Sequence, residues 1–145
     1  MIPIIKKLAK DVFKALGSGY EEAVYEKAME VALRLEKIPY ENQRILPVFY
    51  KNFAVGMSRP DLIINDTKGK EKIVIELKAV PSSLGKKEEV QLQKYLDSLK
   101  MKKGIIINFP QVAKGEEGKE PEFIVVGWIW GECGCGWDRF KIKEF

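Results

Sequence analysis

The chain has 145 residues, 46% hydrophobic and 32% charged, with a formal net charge of +4. That balance excludes a disordered chain and describes one domain large enough to bury a core, while the slight basic excess permits a phosphate-bearing partner without demanding one. There is no histidine, which excludes Ser-His-Asp and Cys-His catalysis and His-ligated zinc, so any metal must be held mainly by oxygen, favouring Mg2+, Mn2+ or Ca2+.

Two cysteines, Cys133 and Cys135, are too few for a disulfide scaffold. The first residues lack the apolar core of a signal peptide and no run approaches a membrane span, so a cytoplasmic protein without a membrane partner is expected.

Residues 3–16 follow a helical period. Pro3 suits a first turn, and Ile4, Leu8, Val12 and Leu16 form a stripe flanked by Ile5, Ala9 and Phe13. Lys6, Lys7, Lys10 and Lys14 take a solvated face, and Gly17 suits the C-cap. A second helix is predicted over 19–36, opened by a capping box of Ser18 and Glu21 and buried through Val24, Ala28, Val31, Ala32 and Leu35. Glu22 points about 100° from Glu21 and has no such local task; solvent is the usual destination of such a glutamate.

Residues 38–42 read as a connector and 43–50 as a strand, with Pro47 marking an edge or bulge. Lys51-Asn52 makes a tight turn, and 53–65 form a long strand bent or bulged near Gly56 and Pro60. After a polar turn at 66–70, residues 73–80 form a strand apolar enough for burial on both faces. A loop at 81–85 leads to a third helix over 86–100, with Leu92, Leu96 and Leu99 inward, and then to a short buried strand over 104–109. Strand, helix and strand in succession predict a right-handed crossover and a parallel pair. Beyond a charged loop, 123–130 read as a strand and 137–143 as its hairpin partner. The whole is a single α/β (α+β) domain, 1–145, with the order α-α-β-β-β-α-β and a β extension over about 122–145: a mixed sheet with helices on its faces.

Three charges stand where that sheet should have none. Glu76 and Lys78 are two apart in a strand and share a face. A hairpin centred near Lys68 and Gly69 places Asp61 opposite Glu76, so all three meet in one patch. A plain salt bridge to Lys78 would leave one buried negative charge unbalanced. A divalent ion held by Asp61, Glu76 and the carbonyl of Leu77 would balance it, lower the pKa of a water and clamp a phosphate. Lys78 would orient the water or neutralise charge in the transition state.

Pro60-Asp61 followed by Glu76-Leu77-Lys78 resembles the PD-(D/E)XK nuclease signature. Gly19, Glu22 and Tyr25 match the GxxExxY motif, with Leu16-Gly17-Ser18-Gly19 similar to its lead-in. The Gln91-to-Leu96 helix segment and the Gly104-to-Phe109 strand resemble the downstream elements of the GxxExxY family, so the likeness covers about residues 3–110. The resemblance implies a restriction-endonuclease-like αβββαβ core around a mixed four-stranded sheet. It implies a nuclease hydrolysing DNA with Mg2+ (or Mn2+), Asp61 and Glu76 as metal ligands and Lys78 as catalytic lysine. It further implies that Glu22 reaches the site as a catalytic and metal-binding member and that Gln91 lines it. The chain departs from the family at Glu88, where a histidine is common. Other readings are a structure-selective, Holliday-junction-resolvase-like homodimer and a catalytically silent nucleic-acid-binding domain.

Tyr25, Arg59, Lys68, Lys70 and Tyr95 are candidates for nucleic-acid contact; Lys68 and Lys70, with Lys72, would flank the site. Cys133-Gly134-Cys135 reads as free thiols in a turn, or as half of a zinc site completed by a second chain. Trp128, Trp130 and Trp137 suit core packing or a dimer interface, or stacking on unpaired bases.

Overall fold

Pro3, with no N–H to lose, opens the first helix in a computed structural model that describes residues 1–65, 72–112, 119–130 and 137–144, with side chains as far as Trp128. The expected turn with Lys68 and Lys70, the Cys133–Cys135 turn and the side chains of Trp130 and Trp137 lie outside the described residues. Helix α1 (Ile2–Leu16) ends at Gly17, whose φ of 70° suits glycine. It buries Ile5, Leu8, Ala9 and Val12, so the inward stripe centres one residue later than expected and Ile4 faces outward.

Helix α2 (Glu22–Leu35) starts later than expected, with Glu21 at the N-cap, and no side chain of a capping box bonds there. Its buried face is also rotated. Tyr25, Met29 and Leu33 face the core, whereas Val24, Val31 and Leu35 are exposed. Both sets have helical spacing. The deciding factor is the polar flank, because Glu26 and Glu30 are also buried and find partners on β1 and just beyond it.

The expected connector at 38–42 contains strand β1 (Tyr40–Asn42); the strand expected over 43–50 is shortened to 46–50, and the long strand expected over 53–65 is divided in two. β2 (Leu46–Tyr50) and β3 (Phe53–Ser58) form a separate antiparallel ribbon, joined by Lys51 and Asn52, both with positive φ as a two-residue hairpin requires. Its register skips one residue between Val48 and Phe49, leaving Val55 without a counterpart. β4 (Leu62–Asn65) then returns to pair with β1, and β5 (Lys72–Lys78) pairs with β4. Pro60, lacking an N–H, stands at the break between ribbon and sheet.

Helix α3 (Lys86–Leu99) crosses over to β6 (Lys103–Asn108), which pairs parallel to β5 as the crossover requires. Leu92, Leu96 and Tyr95 are buried, with Leu99 only partly so. The Glu88 carboxylate accepts the Gly85 N–H at 2.9 Å, which gives the departing residue a capping task. β7 (Glu122–Trp130) and β8 (Trp137–Glu144) complete one six-stranded sheet of order β1-β4-β5-β6-β7-β8. The sheet is therefore wider than the four strands implied by the resemblance.

Side-chain alternation divides the core in two. Leu62, Ile64, Ile73, Ile75, Ile105 and Ile107 pack under α1 and α2; Ile63, Val74, Ile106, Ile124 and Val126 pack under α3. Gly104 lets α3 approach, because a Cβ there would stand 2.6 Å from a Leu92 methyl.

Candidate active site

The site forms where β4 and β5 part. The register pairs Leu62 with Ile75, and its continuation sets Asp61 opposite Glu76 and Pro60 opposite Leu77. Pro60 has no N–H with which to extend the ladder, so the Leu77 carbonyl loses its ladder donor. The Leu77 N–H is taken up by Asp61, whose Oδ2 accepts it at 2.7 Å. Asp61, Glu76 and Lys78 thus gather at the open end of the strand pair, on the face that carries Ile63 and Val74.

Glu76 is only 3% exposed. Its Oε1 accepts from Lys78 Nζ at 3.2 Å, while its Oε2 is buried without a hydrogen-bond partner. Burial pushes the Asp61 carboxyl up to about 6, against the Leu77 N–H and with help from Glu22 and Glu26. Burial, reinforced by Asp61, pushes Glu76 up to about 7 against the pull of Lys78. Burial also works against the Lys78 charge, but Glu76 and Glu22 outweigh it and hold the ammonium above its ordinary pKa. The pair is short of positive charge even with Lys78 in place. Two hard carboxylates, one carrying an orphaned buried oxygen, next to a strand-end carbonyl form a donor set that suits a divalent cation completed by water.

Glu22 reaches this site from the first turn of α2, its carboxylate 3.9 Å from Lys78 Nζ. Among the described residues, however, no three His, Cys, Asp or Glu side chains converge closely enough to hold a metal. Here Glu22 faces Lys78, and its expected role as a metal ligand belongs with the function proposed below.

The motif around Glu22 is positioned by its neighbours. Gly19 has φ 107°, a conformation that disfavours any side chain, and donates its N–H to Gln111 Oε1 at 2.8 Å. Tyr25 is fully buried, stacks on Phe109 at 4.5 Å and donates its hydroxyl to the Gly17 carbonyl at 2.7 Å. The expected nucleic-acid contact by Tyr25 is therefore corrected to a structural role. Tyr95 is likewise buried, because its hydroxyl donates to the Arg59 carbonyl at 3.0 Å and accepts from Gln91 at 3.1 Å. Burial and the nearby Glu76 raise the pKa of that hydroxyl, which keeps it a donor. Gln91 borders the site through Tyr95, and Arg59 has an exposed side chain at its mouth.

Two residues escaped the sequence reading. Gln111 ties Gly19 and Tyr25 to the end of β6, also donating to the Phe109 carbonyl at 3.1 Å. Glu26, four residues after Glu22, is buried beside Asp61 and accepts from Gln43 at 3.3 Å. The Glu22, Glu26, Glu30 spacing of four was the available signal for one polar helix face turned inward.

Compared with known families, residues 1–120 match a model of the PD-(D/E)XK nuclease superfamily. Comparison with curated proteins and with solved structures yields no match.

Proposed function

The chain belongs to the PD-(D/E)XK nuclease superfamily, and from that premise we propose that it is a metal-dependent nuclease acting on DNA, with Asp61, Glu76 and Lys78 as its reacting centre. The carrying observation is the buried, unpartnered Glu76 Oε2 beside the Asp61 carboxylate. Asp61, Glu76 and the Leu77 carbonyl would hold Mg2+ or Mn2+, with Glu22 as the further ligand that the resemblance implies. Such an ion supplies Lewis acidity, lowering the pKa of water and neutralising phosphate charge. Lys78, kept protonated by Glu76 and Glu22, directs its N–H groups toward the attacking water and the phosphate oxygens. Glu22 and Glu76 fix the direction of that ammonium, and Gln91 with Tyr95 holds the Arg59 end of the cleft. The Gly19, Glu22 and Tyr25 constellation supports membership of the GxxExxY group; in this chain Gly19 and Tyr25 anchor the turn from which Glu22 projects.

The test is cleavage of single-stranded, duplex and branched DNA with Mg2+ or Mn2+ by wild type, Asp61→Ala and Glu76→Ala. Wild type should cut, and each variant should lose about 100-fold or more, the usual consequence of removing a charge-stabilising group. A wild type that cuts none of these, or variants that cut equally well, would sink the proposal. A second reading, structure-selective incision of branched DNA by a two-fold dimer, is favoured by the uncovered apolar ribbon of β2 and β3. Preference for branched over duplex substrate would separate it from the first.

A further inference from the structure

The β2–β3 ribbon is the anomalous surface of this molecule. Val48, Phe49, Tyr50, Phe53, Val55 and Met57 are 46% to 74% exposed. Of the ribbon's large apolar residues, only Leu46 packs against a core cluster. The ribbon pairs with no other strand among the described residues, so the outer edges of both β2 and β3 carry unpaired backbone groups. A two-stranded ribbon by itself is marginal in water.

We infer that this ribbon is the interface with a second copy of the chain, docked ribbon against ribbon about a two-fold axis. The six side chains leave roughly 700 Å2 of apolar surface in water over the two faces together, an apolar excess on the scale of the ~800 Å2 that one partner contributes to a standard interface, whose rim the ribbon's neighbours would supply. Between residues 45 and 58 the only charge is Lys51, whose Nζ lies over the Tyr50 ring at 5.5 Å. A surface for phosphates needs several cations, and this one has too few. A two-fold contact requires a patch that complements itself, and an uncharged apolar patch meets its own copy without like-charge repulsion. Apolar residues lie on both faces: Tyr50 pairs with Phe53 on one, and Pro47 with Met57, beside Phe49, on the other. A two-fold contact through the Phe49 and Met57 face would cover that face against the mate's own.

The arrangement bears on the proposed nuclease, though the inference does not depend on it. Three residues separate the end of β3 from β4, and Asp61 is the last of them. A ribbon dimer would hold two such clefts at a fixed separation near the axis.

Light scattering on the full chain at about 10 and 100 µM should give twice the 16.6 kDa chain mass. Phe49→Glu combined with Met57→Glu should give the single mass with the far-ultraviolet circular dichroism of wild type. Amide exchange in wild type should show β2 and β3 protection rising with protein concentration, a readout that needs no variant. A wild type that is monomeric at 100 µM, or a double variant that folds and remains dimeric, overturns the inference. Ribbon protection that appears only when single-stranded DNA is added overturns it too, and gives the face to the substrate. Cleavage enters none of these measurements, so a failed dimer leaves the nuclease reading standing, and the reverse.

Discussion

Asp61 and Glu76 are two carboxyls that the fold keeps partly protonated near neutrality. Both have folded-state pKa values above their ordinary ones, about 6 and about 7, chiefly because of burial, with Glu22 and Glu26 adding to Asp61 and Asp61 adding to Glu76. The folded metal-free chain therefore binds more protons than the unfolded one across this range. Its stability is fully present below about pH 4 as far as this pair is concerned and falls as pH rises through 6 to 7. In EDTA, the melting temperature of wild type should decline relative to Glu76→Gln between pH 5 and about 8; parallel curves for the two proteins would refute the assignment. The meeting of Asp61, Glu76 and Lys78 was legible in the sequence because strand parity and the antiparallel pairing of two neighbouring strands fix it. Gln111 was not, since its partner Gly19 lies 92 residues away and nothing near it in the chain signals the bond.

At the scale of elements, helix positions are set by what the sheet offers. The outward Val24, Val31 and Leu35 stripe of α2 has the same period as the buried Tyr25, Met29 and Leu33 stripe. Sequence favoured the first because Glu26 and Glu30 flank the second, and charged residues usually mark the wet side. The fold reverses that expectation by giving Glu30 three partners: Lys27 at 2.7 Å, Tyr40 at 3.2 Å and Asn42 at 3.4 Å. Two of those belong to β1, a strand that also went unread, so the two misreadings have one origin. α3 shows the opposite case, where Leu92 and Leu96 were read correctly and the tight fit lies on the sheet side at Gly104. Gly104→Ala would press its Cβ into Leu92, and such overpacking costs about 1–3 kcal/mol. Urea unfolding should register that loss with an unchanged slope; a neutral result would mean that α3 yields freely at this point.

For the whole molecule, the succession of the three helices and the parallel step of β5 to β6 could be read from periodicity and chirality, whereas β1, the division of 53–65 and the width of the sheet could not. The division of the early strands into a sheet pair and a ribbon follows from the break at Pro60, where a bend and a true separation look alike in sequence. Because the proposed ligands come from two strands of the central sheet, ion binding is linked to global stability. Mn2+ at ten times its dissociation constant should add about 1.4 kcal/mol, or roughly 3–5 °C in melting temperature, at a pH above 7. The combined Asp61→Asn and Glu76→Gln variant should show no such rise, and an equal rise in that variant would place the ion elsewhere.

The family match ends at residue 120, but the sheet does not. β6 carries Ile105, Ile106 and Ile107 in succession, buried on both faces, and its far side is paired only by β7. β8 in turn shields β7. Without that pair, a flat run of three isoleucines would form the open rim of the molecule, the kind of edge on which chains stack into aggregates. The last strands thus act as an edge guard for the fold, a protective task at the rim of the sheet, separate from the chemistry at the Glu76–Lys78 end of β5.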